Sequence, residues 1–390
     1  MIVFFTKFKA WDIIVLRLCF FGKTGFLQEE SEVKRNSKDL LKKILKIAGI
    51  AAGAVLILII LFFFFAAVTE YKPADREEVA FTSSLDVMEK ESFDIMTLNI
   101  GYAGLGEEMD FFMDGGEGVN PESEERVRTN LEGIEKTLNL ASPDFYFLQE
   151  IDKDSSRSYH IDETEYLKKE YASRAYAQNF VCKWVPYPVA HMIGSVDSGI
   201  MTLSKHKISS AERISLPVNI SWPKRMFMLK RCMLVSRVPI KDSDKELVLV
   251  NFHLEAYDDK KTTQEQTEVV MNFIKSEYDK GNYVLAGGDF NMSFPGMANA
   301  FPYIEGDIWR AGKLSNDMLP EGFKFAYDTA VPTCRVLNAP FTSLTENQLY
   351  AIDGFILSPN LELDFIAAVN GNFRYTDHNP VYMRVKFVEE

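Results

Sequence analysis

Four short apolar runs in this 390-residue chain each end on groups that can do acid–base, metal or phosphate chemistry. Residues 95–98 lead to Asn99, residues 145–148 to Gln149 and Glu150, residues 247–252 to His253, and residues 283–286 to Gly287-Gly288-Asp289-Phe290-Asn291. A carboxylate that closes an apolar strand either caps a sheet at the surface or points into a cleft, and both readings stand for Glu150 and Asp289. The two glycines before Asp289 free the backbone for a tight turn and a close approach to a ligand. His253, one of five histidines, closes a strand, where a lone histidine is more often a hydrogen-bonded structural residue than an acid–base group. Further along, Tyr375-Thr376-Asp377-His378-Asn379-Pro380 sets an acid beside an imidazole before a proline, which favours extended backbone. Asp353 is a charge embedded in the apolar run Ala351-Ile352-Asp353-Gly354-Phe355, so it needs a partner. A ring N–H from His378 would be one, fixing that histidine's tautomer and raising its basicity.

The elements that would position these groups alternate between strand and helix. Val127, Leu131, Ile134 and Leu138 are spaced as one face of a helix, which Ser123 caps and Ser142-Pro143 stops. A second helix is expected after a Thr262-x-x-Glu265 capping box, presenting Val269, Val270, Phe273 and Ile274 and ending at Gly281. Polar groups gathered at the carboxyl ends of several strands are where a mixed α/β scaffold builds its site.

Upstream, residues 47–68 carry no charge and as a helix would span about 33 Å, enough to cross a bilayer. Lys34, Arg35, Lys38, Lys42, Lys43 and Lys46 precede the run, whereas acids outnumber bases after it. The excess of Lys and Arg predicts a single-pass cell-membrane protein with residues 1–46 cytoplasmic and everything from about Tyr71 outside. Aromatic and basic residues interleave over 1–30 without helical pattern, which suggests an over-extended start, with Val33 a natural beginning for a short basic segment before the span. Residues 69–91 read as a linker, and 92–390 as one large domain.

Beyond residue 70 the chain holds 33 Lys and Arg against 50 Asp and Glu, an acidity that argues against a passive nucleic-acid coat. Within it, residues 222–231 concentrate four cations among aromatics, a stretch that fits a phosphate or lipid headgroups, or an ordinary solvated edge. Cys182, Cys232 and Cys334 permit at most one bridge in the domain, and Cys232, in an apolar run, reads as a buried thiol. No nucleophile-elbow motif supports a metal-free serine or cysteine hydrolase.

Seven blocks in order resemble the endonuclease/exonuclease/phosphatase family of deoxyribonuclease-like phosphodiesterases, over about residues 93–388. They are Thr97-Leu98-Asn99, Leu148-Gln149-Glu150, the Ser198–Ser204 stretch, Asn251-Phe252-His253-Leu254, Gly288-Asp289-Phe290-Asn291, Ile352-Asp353-Gly354-Phe355 and Thr376-Asp377-His378-Asn379-Pro380. The resemblance implies a four-layer α/β sandwich, two packed β-sheets flanked by helices. It also implies Mg²⁺ or Mn²⁺ held by Glu150, with Asn99 and Asp377 nearby. Asp289 would then orient or deprotonate water, Asn291 and His253 would hold the phosphate, and His378, aligned by Asp353, would be the other acid–base group. Arg231 and Gln149 fall where substrate contacts are expected. Ser198 and Thr376 depart from the asparagine and serine frequent in relatives, and the insertion at 102–121 either borders the cleft or is a plain surface loop. The implied activity is metal-dependent hydrolysis of a phosphate ester, whether nucleic acid, small ester or, as in sphingomyelinases, a phospholipid headgroup. A non-catalytic phosphate-binding module is the other reading, and no obligate protein partner is evident.

Overall fold

The computed structural model describes residues 23–167, 171–257 and 261–388. Cys19 and most of the 1–30 stretch lie outside them. The chain divides into two units, Met1–Phe65 and Ala66–Glu390. Helix α1 (Lys23–Thr69) runs through the first. Its apolar side chains stand exposed from Ile47 to Leu61 and, past half-buried Phe62 and Phe63, again at Phe64, Phe65 and Val68, and its length and composition suit it to cross a membrane.

In the second unit, β1 (Arg76–Glu78), β2 (Phe81–Thr82) and β3 (Phe93–Asn99) precede helix α2 (Glu124–Leu138) and β4 (Phe145–Asp152). The single turn α3 (Glu163–Tyr166) leads to β5 (Ser173–Val185), β6 (Gly194–Ser204), β7 (Ser210–Ser215), β8 (Cys232–Pro239) and β9 (Glu246–His253). After helix α4 (Lys261–Tyr278) come β10 (Tyr283–Asp289), β11 (Met292–Ser293), β12 (Gly312–Lys313), β13 (Lys324–Ala326) and β14 (Cys334–Arg335). The chain finishes with β15 (Leu349–Tyr350), β16 (Asp353–Leu357), β17 (Leu361–Ala368) and β18 (Val381–Phe387).

Two seven-stranded sheets form, one in the order β1-β7-β8-β9-β10-β16-β13 and the other β17-β18-β3-β4-β6-β5-β2. Their inner faces meet through Phe93, Phe145 and Phe147 on one side and Leu247, Leu285 and Phe355 on the other, all nearly or fully buried. Helix α2 covers the outer face of the β3–β4 sheet with Val127, Leu131 and Ile134. Helix α4 covers the other with Val270 and Ile274, packed on Val248 and Val250. Each such side chain contributes about 1.5–3 kcal/mol on burial. Four layers result, helix, sheet, sheet, helix, as the resemblance implied.

Ser123 caps α2 as expected, its Oγ accepting the Arg126 N–H at 3.2 Å. The second cap is corrected: Thr262 lies inside α4, whose first described residue is Lys261, and Thr263 Oγ1 instead donates to the Glu255 carbonyl. Nor is the 69–91 segment a free linker. Arg76–Glu78 pairs with β7, and Phe81 and Thr82 pair with β5, so the segment completes an edge of each sheet. Its polar composition hid this, because edge strands exposed on one side need few apolar residues. Cys182, Cys232 and Cys334 are buried free thiols.

Candidate active site

Register places the first half of the site. Asp289, last in β10, pairs with His253 on parallel β9 and with Asp353 on antiparallel β16, so three functional groups stand abreast at one sheet end. Gly288 makes this packing feasible. Its φ is +133°, and a Cβ there would lie 2.0 Å from the Phe252 carbonyl oxygen, which only glycine avoids.

The second sheet supplies the other half through irregular backbone. Asn99 ends β3 beside Gln149 of β4. The β4–β6 ladder then slips between Leu148 and Ile151, and Glu150 takes a left-handed φ of 53°. A bulge of this kind re-aims a side chain, and the non-glycine αL geometry costs on the order of 1–3 kcal/mol. Asn251 of β9 ties the two halves together between the sheets. It donates to the Leu148 and Met201 carbonyls and accepts from Gln149 Nε2 at 2.8 Å.

The groups converge on Asp289 Oδ2. Asn99 Nδ2 donates to it at 3.0 Å, while His253 Nε2 lies at 3.4 Å and His378 Nε2 at 3.8 Å. Asp289 Oδ1 accepts the Asn291 N–H at 2.8 Å. His378 Nδ1 meets Asp353 Oδ2 at 2.8 Å, the pairing foreseen from the buried charge on an apolar strand. Glu150 Oε1 accepts from Asn99 Nδ2 at 3.2 Å and lies 3.9 Å from His253 Nδ1. Asp377 Oδ2 lies 3.9 Å from His378 Nε2. Thr376 Oγ1 donates to the Asn99 carbonyl, joining this loop to β3.

Burial and the nearby Asp353 charge push the Asp289 carboxyl up to about 7. Burial opposes charge on His378, yet Asp353 and Asp377 outweigh it and hold the imidazole well above its ordinary value. His253 goes the other way: burial, with the cations Arg231 and His378 nearby, holds it well below, hence neutral. The two histidines are thus pushed in opposite directions within one site.

Eight of the ten expected residues meet here. Arg231 stands at the edge, buried, its Nε 3.5 Å from Glu255 Oε2 and close enough to depress His253. Gln149 points into the space between the sheets, where it bonds Asn251 and Thr97. Asn99 turns its nitrogen toward the two carboxylates, because its Oδ1 accepts the Gly101 N–H at 3.0 Å.

The donor set fits a hard divalent cation. Burial raises the Asp377 carboxyl to about 6, and the neighbouring Glu150 charge adds to that, a repulsion between carboxylates that a cation would relieve. His253 Nδ1 and Arg231 Nη1 are buried without a hydrogen-bond partner, as expected of groups meant for a ligand. Asp289, Asp353 and His378 also lie close enough to share an ion. The Asp353–His378 bond, however, commits those two atoms to each other, so the oxygens of Glu150 and Asp377 are the better pair.

Sequence reasoning missed the supports. Arg157 holds Asp152 through two bonds of 2.9 and 3.0 Å and lies 3.8 Å over the Tyr102 ring, joining the loop after Asn99 to the strand of Glu150. Nothing in the polar run around Arg157 signals this. The 102–121 insertion is fastened down: Arg335 Nη2 donates to the Gly106 and Met109 carbonyls, and Asp114 accepts from Tyr257 Oη at 2.8 Å. Burial and then the Asp114 carboxylate push the Tyr257 phenol well above its ordinary value, and a Cβ at Gly101, just before the insertion, would lie 2.8 Å from Asp377 Oδ1, so the insertion starts beside the site.

No family model and no curated protein matches the sequence. Solved structures do. An endonuclease/exonuclease/phosphatase from Beutenbergia cavernae DSM 12333 is similar with TM-score 0.52 and 16% identity, over 76% of this chain and 72% of that one. D. rerio TDP2 complexed with single strand DNA product is similar with TM-score 0.48 and 19% identity, covering 76% and 99%. The human Nocturnin catalytic domain with bound sulfate is similar with TM-score 0.48 and 14% identity, covering 80% and 97%. The likeness to the Beutenbergia cavernae protein is, at this identity, one of fold, and the globular unit has the endonuclease/exonuclease/phosphatase fold.

Proposed function

We propose that the chain is a metal-dependent hydrolase of phosphate esters, anchored through residues 47–68 with the second unit on the non-cytoplasmic side. The observation that carries this is the meeting of both sheet ends on Asp289 Oδ2, from residues scattered between positions 99 and 378. Phosphoryl transfer asks mainly for positioning and charge neutralisation.

Glu150 and Asp377 would hold Mg²⁺ or Mn²⁺, which supplies positive charge at the phosphoryl oxygens. Asn99, its nitrogen toward Glu150 and Asp289, orients those carboxylates. Asp289 Oδ2 takes the proton of the attacking water, a task for which a carboxyl raised to about 7 is well matched near neutral pH. His378, kept charged by Asp353, offers its Nε2 proton to the phosphoryl or leaving oxygen. Neutral His253 and the second amide hydrogen of Asn291, whose first goes to the Leu254 carbonyl at 2.8 Å, bind the phosphate. Arg231 adds a buried positive charge behind them, and Gln149 steadies Asn251.

The test is turnover of bis-p-nitrophenyl phosphate by the full chain with Mg²⁺, with Mn²⁺ and with EDTA. The reading expects metal-dependent hydrolysis that falls by about 10²-fold or more in Glu150→Ala and His378→Ala. Absence of metal-dependent turnover would leave a phosphate-binding module.

A further inference from the structure

Two long stretches of this acidic unit contain no carboxylate: residues 171–196 and residues 213–241. The fold brings them together. Phe227 and Leu229 pack on Phe180, Cys182, Val185 and Val196, and the Lys230 N–H donates to the Asn179 carbonyl at 2.6 Å. Their outward side is apolar and basic. On the β5–β6 hairpin Trp184 is 50% exposed, Tyr187 59% and Val189 77%, and Trp222 on the neighbouring segment is 60% exposed, beside exposed Lys224 and Arg225. A set of large apolar side chains this exposed marks an interaction surface.

The residues with which the second unit begins lead to this surface. Helix α1 ends at Thr69, and the next residue, Glu70, is held by Arg225 at 3.4 Å and Lys230 at 3.3 Å. The exit of the apolar helix therefore lies at the cations of this same surface. Tryptophan, tyrosine, lysine and arginine together are the side chains that settle at the headgroup level of a bilayer.

We propose that the surface formed by the β5–β6 hairpin tip and residues 222–225 seats on the phospholipid bilayer in which α1 is anchored. This rests on the membrane anchoring in the proposed function and deepens it. The patch adjoins the insertion beside the cleft, since Tyr187 meets the Phe112 ring at 5.4 Å and Asn120 Nδ2 donates to the Met192 carbonyl. A seated surface holds the cleft mouth near the headgroups, which favours a phosphate ester presented by the bilayer over one free in solution.

The test uses the full chain in nanodiscs of zwitterionic phosphatidylcholine, in a Cys19→Ser background, the remaining cysteines being buried. An environment-sensitive fluorophore is attached to Val189→Cys or, as control, to Leu85→Cys. Leu85 is 92% exposed and lies by the opposite end of β5, where the Ser84 N–H donates to Ser173 Oγ, about 40 Å from Val185 along the strand. The proposal expects blue-shifted emission at 189, quenched by doxyl-labelled lipid, and neither effect at 85. Equal behaviour at the two sites would overturn it. So would a blue shift at 189 that doxyl lipid leaves untouched, which would assign the patch to a protein partner. Turnover of bis-p-nitrophenyl phosphate by the labelled proteins reports the site separately: persisting turnover without quenching leaves the hydrolase standing and removes the surface, and quenching without turnover does the reverse.

Discussion

His253, Asp289 and Asp353 keep their places through unbroken strand register, whereas on the facing sheet Asn99 is the last residue of a regular ladder before backbone that turns left-handed at 101–103, and Glu150 sits on a bulge with left-handed φ. The first half is stiff because Asp289 sits between two ladders, with His253 its partner on one side and Asp353 on the other. The second is held from outside, by Arg157 gripping Asp152 and Tyr102 and by Thr376 bonding the Asn99 carbonyl. One half can therefore be altered chemically without moving, while the other can be moved without being altered.

The largest effect is expected from Asp289→Asn in the stiff half, which should lower kcat by about 10³-fold with the fold intact. The same variant tests strain. The Asp289 carboxyl is raised from 3.8 to about 7, so the stability linked to its protonation is complete below 3.8 and lost as pH rises through about 7. Asp289→Asn should then melt no lower than the wild type at pH 8, and its advantage should shrink steadily as pH falls from 7 toward 3.8. A thermal series across that range checks it.

Asp353→Asn comes next, with a loss of about 10²-fold. Because Asp353 is what outweighs burial at His378, removing its charge lowers the imidazole's pKa, and the basic limb of the kcat–pH profile should move to lower pH. An unmoved limb would remove His378 from the acid role.

In the second half, Arg157→Ala leaves Asp152 buried without its cation, an expected cost of about 3 kcal/mol in chemical denaturation. Its kinetic mark is specific: the Mg²⁺ concentration for half-maximal rate should rise, since Glu150 loses its anchorage, while the pH profile stays put. The smallest effect, about tenfold in rate, is expected from Asn99→Ala, which frees the carboxylates that its nitrogen orients.

The same contrast explains what was legible in the sequence. Asp289 and His253 close apolar runs and Asp353 lies within one, and apolar runs are what strand periodicity reveals, so their three strands were bounded to within a few residues. The pairing of Asp353 with His378 followed from one rule, that a buried charge needs a partner. The second half was less legible, because a bulge at Glu150 and αL backbone at Tyr102 leave no compositional trace, and Arg157 stands in a run of polar residues like any surface loop. The polar 69–91 segment, expected as a linker, misled for a related reason: a short edge strand is specified by the neighbour it pairs with, not by its own residues.

The central claim is that both sheets build one site. A double-mutant cycle in kcat/KM for phosphodiester hydrolysis tests it, comparing Glu150→Gln, Asp289→Asn and the two combined. Residues that act as a unit are strongly non-additive. The double variant should therefore be about as slow as the worse single one, whereas losses that simply multiply would show two independent sites and contradict the account.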